Sequence, residues 1–200
     1  PQVKRSLGLI YAVNPFGADH QSSEHDPAVE EEYEQYDDRL QSIGINDALP
    51  VYSLDKGKVQ YAVNTQHMYS FLDSANLCQF VWGPTWQLYG PQDSVEVVRQ
   101  ITGWNNFTVE EMLLVGDRRL NMLRLFNARE GITREQDKLP KKFYKTLQGD
   151  GPSCGVALDL EETLGDRLAR GRLLIPRTSG RLPRELSGPQ VHGVADVDHN

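Results

Sequence analysis

Three short stretches carry side chains able to do chemistry. Asp73-Ser74-Ala75-Asn76-Leu77-Cys78 sets a carboxylate shortly before a thiol. A thiolate ligates iron, but an iron–sulfur cluster normally takes four of them. The chain has two cysteines, Cys78 and Cys154, and no Cys-x-x-Cys pair. On composition alone a lone cysteine is most often a small buried hydrophobe. Phe16-Gly17-Ala18-Asp19-His20 is a loop that exposes a histidine, a side chain that exchanges protons near neutral pH. The plainer reading is a surface or hydrogen-bonded loop histidine. The third stretch runs Arg118-Arg119, Asn121, Arg124, Phe126-Asn127-Ala128-Arg129-Glu130-Gly131. Arg118 and Asn121 share a helical face. Arginines so placed clamp phosphates or carboxylates bidentately, or simply complement the negative end of a helix.

Each stretch needs an element to present it. Val3 to Val13 reads as a short apolar helix stopped by Asn14-Pro15 and Gly17, so the histidine loop follows a helix end. Pro27 to about Gln41 reads as a second helix, with Asp26 as cap and Pro27 in the first position. Its acidic run, Glu30-Glu31-Glu32 with Glu34, Asp37 and Asp38, has no turn-forming glycine between carboxylates and reads as a solvated face. Ser53 to Val63 is either a hairpin about Asp55-Lys56-Gly57 or the entry to a helix running to Leu72. Val59, Ala62 and Val63 fall on one side of that helix and favour it. Asp93 to Thr102 reads as a helix capped by Asp93 with Glu96 three residues on, stopped by Gly103.

Thr108 to Ala128 gives the strongest signal. Thr108 and Glu111 form a capping box. Val109, Met112, Leu113, Leu120 and Leu123 recur at helical spacing, with Gly116 on the same stripe. This helix is expected to be central and largely buried along the stripe. A mid-helix glycine costs about 1 kcal/mol against alanine, so Gly116 points to close approach by another backbone or a cofactor. There is no strand ladder, and the fold class is all-α.

The 200 residues are 38% hydrophobic and 24% charged, enough for one globular domain with a sizeable core plus a tail. All 17 aromatic residues lie at or before Tyr144. Residues 145–200 hold none and are rich in Gly, Pro and Arg. The expected layout is a helical domain over 1–144 and a loosely packed tail over 145–200. A net charge of −7 argues against a general nucleic-acid binder. No apolar run approaches the roughly 18 residues of a membrane span. Two cysteines are too few for a disulfide framework, which favours a reducing, cytoplasmic compartment. The chain opens on Pro1 without a secretion signal, as expected of a processed start or a piece of a longer chain.

Taken in order, these stretches resemble the carboxy-terminal part of the tungsten-containing aldehyde ferredoxin oxidoreductase family. The longest likeness runs through Thr102-Gly103-Trp104, Thr108-Val109-Glu110-Glu111 and Gly116-Asp117-Arg118-Arg119-Leu120-Asn121. It continues through Phe126 to Gly131 and Asp137-Lys138-Leu139-Pro140. Gly17-Ala18-Asp19-His20 is similar to the family's G-A-D-H loop, and Asp73 to Cys78 to its D-x-x-G-L-C motif. The resemblance covers about residues 7 to 144 and matches only the last of the family's two helical domains, which follow an amino-terminal β domain.

The resemblance implies an enzyme that oxidises aldehydes to carboxylic acids at a tungsten held by two molybdopterins. Electrons would leave through an adjacent 4Fe-4S cluster to ferredoxin. Asp73, Asn76 and Leu77 would contact one pterin, Cys78 would be the cluster's fourth ligand, and His20 would meet the substrate oxygen and move a proton. The other three cysteines would lie upstream of Pro1. Asn76 stands where the family has glycine, and asparagine is among the few residues that accept a left-handed backbone. The family's carboxy-terminal aromatic stretch has no counterpart in the tail. Two other readings stand beside this one: a cofactor-less structural or interaction module on the same scaffold, and a subunit of an aromatic acyl-CoA reductase.

Overall fold

The computed structural model describes residues 4–30, 33–151, 154–158 and 160. Six α-helices follow in order: α1 (Arg5–Val13), α2 (Asp26–Glu30), α3 (Tyr33–Ser42), α4 (Lys56–Ala75), α5 (Pro91–Thr102) and α6 (Val109–Arg129). Single 3-10 turns at Arg134–Gln136 and Lys141–Tyr144 come after. Among the described residues there is no strand, only an isolated bridge between Trp82 and Tyr89. The fold is all-α, as expected.

The centre is α4, not α6. Tyr61, Met68, Phe71 and Leu72 of α4 enter one core with Leu40, Ile43, Val95, Phe107 and Met112. Val59, Ala62 and Val63 enter a second core with Leu9, Ile10, Val13 and Leu139. A helix buried on two sides shows little amphipathic contrast, which is why its sequence signal is weaker than that of α6. On α6, Met112, Gly116 and Leu120 are buried, Leu113 and Leu123 are half-buried, and Met122 and Phe126 are exposed. Gly116 meets a backbone: a Cβ there would stand 1.8 Å from the His67 carbonyl oxygen. Only glycine lets α6 lie this close to α4.

Capping differs from the sequence expectation at two helices. Asp26 is the first residue of α2, and its carboxylate faces another helix. Its carboxylate accepts from the Ser6 amide at 3.1 Å, the Ser6 hydroxyl, and the Leu7 amide at 3.4 Å. It thus satisfies the first turn of α1 from across the fold, where Lys4 provides no side-chain cap. The same carboxylate pairs with Lys58 of α4 at 3.0 Å, both side chains fully buried. Asp93 is the third residue of α5, not its cap. The helix starts at Pro91 after an extended Gly90, whose amide donates to the Asp93 carboxylate at 2.7 Å. Proline in the first position is the better start signal. Of the single helix expected from Pro27 to Gln41, α2 and α3 are the described parts and Glu31 and Glu32 lie outside the described residues; Tyr36 inside α3 leaves helical geometry at φ −124°, ψ 18°. The hairpin alternative about Asp55 does not form, because Asp55 caps α4 by accepting from the Lys58 amide at 3.0 Å.

The packed core continues past the last aromatic residue. Leu158 and Leu160 are buried against Leu9 and Ile10, and the Leu147 amide donates to the Val156 carbonyl. The remainder of the tail, from 161, lies outside the described residues.

Candidate functional site

The carboxy-terminal end of α4 turns the chain sharply. Asn76 adopts φ 55°, ψ 35°, the left-handed region, and is the one non-glycine described residue to do so. The Leu77 amide reaches back to the Leu72 carbonyl at 2.9 Å and the Asn76 amide to the Asp73 carbonyl at 3.4 Å. This is the Schellman arrangement, with asparagine in the position glycine usually fills. Leu77 packs onto the core that holds Leu72, the apolar contact that accompanies such a cap. The turn thus fixes Leu77 inward and leaves Cys78 exposed. The Cys78 carbonyl accepts from the Val81 and Trp82 amides at 2.9 and 3.0 Å, so the backbone under the thiol is tied down.

Asp73, one turn before Cys78, pairs with Arg119 of α6 at 3.1 Å and accepts from Gln79 at 3.0 Å. Its pKa is raised, first by burial and then by the charge of Asp19, against the lowering effect of Arg119 and Gln79. Arg119 also donates to the Ser70 hydroxyl at 3.3 Å and lies over the Phe16 ring at 5.7 Å. It lines a surface cavity of about 370 Å³ with Ser74, Val115, Arg118, Met122 and Leu123. Asn127 of α6 donates to the Pro15 carbonyl. The loop that carries His20 therefore sits on α6 and beside the end of α4. Arg119 and Asp19 connect the two sequence clusters that the motif reading held apart.

His20 is exposed, and its Nδ1 lies 3.2 Å from the Tyr11 hydroxyl. The loop under it is braced from within. Asn14 donates to the Gly17 carbonyl and the Ser22 hydroxyl at 2.8 and 2.9 Å, and Asp19 accepts from the Gln21 amide at 3.1 Å. Behind it, Glu24 is buried and accepts from Thr85 at 2.7 Å, Tyr69 at 3.1 Å and the His25 amide at 3.0 Å. Burial pushes its pKa up, and these hydrogen bonds only partly offset that.

The arginine-rich stretch splits into separate duties. Arg124 pairs with Asp137 at 2.7 Å, both mostly buried, which ties the end of α6 to the segment after it. Arg119 holds Asp73, and Arg118 borders the cavity. Tyr11, Glu24, Asp26 and Arg39 carry positional roles that no local sequence signal marks. Arg39, for example, donates to the carbonyls of Thr85, Gln87 and Leu88.

The donor set fits one corner of an iron–sulfur cluster. Cys78 is a free, exposed thiol. Among the described residues no group of three or more His, Cys, Asp or Glu could hold a metal ion by itself, so a cluster at Cys78 would need ligands from outside them. No helix among the described residues is long and apolar enough to cross a membrane.

The family profile described as "Aldehyde ferredoxin oxidoreductase, domains 2 & 3" matches residues 1–167. The tungsten-containing aldehyde ferredoxin oxidoreductase of Pyrococcus furiosus is 28% identical over 165 residues, 82% of this chain and 24% of that protein. The one from Thermococcus kodakarensis is 28% identical over 186 residues, 92% of this chain and 27% of that protein. The chain spans about a quarter of the length of the curated relatives it matches.

Proposed function

The chain belongs to the aldehyde ferredoxin oxidoreductase family, and on that premise we propose that it forms the carboxy-terminal helical part of a cytoplasmic enzyme oxidising aldehydes to carboxylic acids. The observation that carries this is the end of α4. There a carboxylate, a left-handed turn and an exposed thiol follow one another on a fixed backbone. Asp73, with Asn76 and Leu77, would hold one pterin of a tungsten bis-molybdopterin, and Cys78 would be one of four ligands to a 4Fe-4S cluster. A bound tungsten centre would supply the two-electron oxidation of the aldehyde, with the cluster as the route for electrons to ferredoxin.

The chain's own residues have distinct tasks in this reading. Water supplies the second oxygen of the acid, so each turnover also releases two protons. His20, at the exposed tip of its loop, would hydrogen-bond the reacting oxygen and take up one of them, an effect worth about 10²–10⁴-fold. The Schellman turn sets Cys78 directly after Asn76 and Leu77, which would give a short path from pterin to iron if both groups bind there. Phe16, Met122 and Phe126 leave apolar surface exposed beside the site, where the remaining domains of the parent enzyme would pack.

The test separates the two roles in the full-length parent. Cys78→Ser should lower iron content and the reduced-cluster signal, because a hydroxyl is a poor substitute for a thiolate on iron. His20→Ala should leave tungsten and iron in place and lower turnover. Full iron content in Cys78→Ser would show that the fourth ligand lies elsewhere. Undiminished turnover in His20→Ala across the pH range would reduce the histidine to a loop residue.

A further inference from the structure

Behind His20 stand three groups that the motif does not contain. The Tyr11 hydroxyl lies 3.2 Å from His20 Nδ1. The His25 ring packs edge-on against the His20 ring, with centroids 4.3 Å apart. His25 Nε2 lies 3.2 Å from the His20 carbonyl oxygen and its Nδ1 lies 3.3 Å from the Lys4 ammonium.

Proton counting fixes the state of His25. An ammonium only donates, so Nδ1 of His25 must accept, and its single proton sits on Nε2, from which it donates to the His20 carbonyl. His25 is therefore held neutral. Its pKa is lowered, first by burial and further by the charges of Lys4 and His20, against the raising effects of the His20 carbonyl and Asp26. A neutral ring beside His20 leaves His20 free to take up a proton without a second positive imidazole against it.

We propose that Tyr11 is a positioning residue for His20, its hydroxyl oxygen accepting from Nδ1–H so that Nε2 faces outward with its lone pair free to take up a proton, and that Lys4 and His25 brace this orientation from behind. Burial and the nearby Asp19 carboxylate raise the Tyr11 pKa, so its hydroxyl stays neutral. Tyr11 lies two residues before the end of α1 and is half-buried against the second core, so its hydroxyl is a fixed reference rather than a mobile one. The charged or titratable groups around His20 are then Tyr11, His25, Asp19 and, behind His25, Lys4. This inference rests on His20 being the residue that meets the substrate oxygen.

Two measurements test it. The first uses the full chain with labelled imidazole nitrogens and needs no cofactor. In the neutral ring His20 Nδ1 should carry the proton, so its resonance should lie in the protonated range and that of Nε2 in the unprotonated range. Tyr11→Phe should return the Nδ1 resonance to the position of a free ring, while the backbone spectrum stays folded. Lys4→Met should raise the His25 pKa. The second measures turnover of the parent enzyme. Tyr11→Phe should lower kcat about 10-fold with metal content unchanged, the usual scale for losing a group that orients a reactive side chain. An Nδ1 resonance indifferent to Tyr11→Phe overturns the proposal. So does a released Nδ1 with undiminished kcat in an enzyme that His20→Ala does slow. If the Nδ1 shift behaves as expected and His20→Ala retains full turnover, the catalytic reading of His20 has failed, and the positioning role falls with it.

Discussion

Removing the Asp26 carboxylate should be among the most destabilising single changes available in this chain. Asp26→Ala strips the partner from Lys58, whose ammonium is fully buried. It also leaves the Ser6 and Leu7 amides of α1 without an acceptor. Breaking a buried ion pair by deleting one partner costs about 3–5 kcal/mol, and losing a helix cap about 1 kcal/mol. Lys58 retains a long contact of 3.4 Å to the Leu49 carbonyl and the Tyr61 ring at 5.6 Å, which favours the lower half of that range. The total of about 4–5 kcal/mol is a large share of the roughly 5–15 kcal/mol that holds a domain folded. Lys58→Met should cost less, because Asp26 keeps its two amides and the Ser6 hydroxyl. The double variant Asp26→Ala/Lys58→Met should be more stable than Asp26→Ala alone, since no unpaired charge remains. Urea denaturation of the full chain followed by far-ultraviolet circular dichroism measures all three. An Asp26→Ala loss below about 1 kcal/mol, or a double variant no better than the single, would refute the argument from buried charge.

Three further outcomes are expected. Gly116→Ala should cost about 3 kcal/mol or more in the same assay, because its Cβ would meet the His67 carbonyl oxygen at 1.8 Å and force α4 and α6 apart. Asn76→Gly should be neutral or slightly stabilising, whereas Asn76→Ala should cost about 1–2 kcal/mol, the penalty of a left-handed backbone for an L side chain; thermal melts of the pair decide this. Glu24 should impose a pH dependence: its raised pKa means the folded chain holds that proton more tightly than the unfolded one. Its contribution is fully present below the ordinary carboxylate pKa and is lost as pH rises through the raised value. Glu24→Gln should therefore gain on the parent as pH climbs from 4 to 8, and parallel stability curves would contradict this.

Local grammar in the sequence read well where the structure is local. The Thr108 cap, the stop at Gly103 and the tolerance of Asn76 for a left-handed turn are all decided by a few neighbouring residues, and all appear as expected. The misreadings share one cause. Asp26 and Asp93 are both acidic residues near helix starts, and the pattern cannot say whether such a carboxylate serves its own first turn, the residue three before, or another helix. Periodicity misplaced the centre for a related reason. The contrast between apolar and polar faces is greatest in a helix that is half-exposed, such as α6, and fades in one enclosed on both sides, such as α4. At the candidate site, the motifs named Asp73, Asn76, Cys78, His20 and Arg119, but not the partners that Arg119 takes, nor Tyr11 or Glu24; these depend on residues 45 or more positions away for Arg119 and Glu24, or on the facing element for Tyr11.

The shared carboxylate at the start of α1 and beside the start of α4 also has a mechanical meaning. Asp26 is a common hub for two levers. One is α1, which ends at the loop of His20; the other is α4, which ends at Asp73 and Cys78. From Lys58 to Asp73 the second lever is about 22 Å long at 1.5 Å per residue. A tilt of about 2.5° at the hub would swing its tip by about 1 Å, and a displacement of that size at a reacting centre is enough to cost about 10²-fold in rate. Conservative replacements at Ser6, Asp26 or Lys58 could thus leave the chain folded and yet detune the two tips relative to each other. Such variants would announce themselves first in turnover, with no altered residue anywhere near the chemistry.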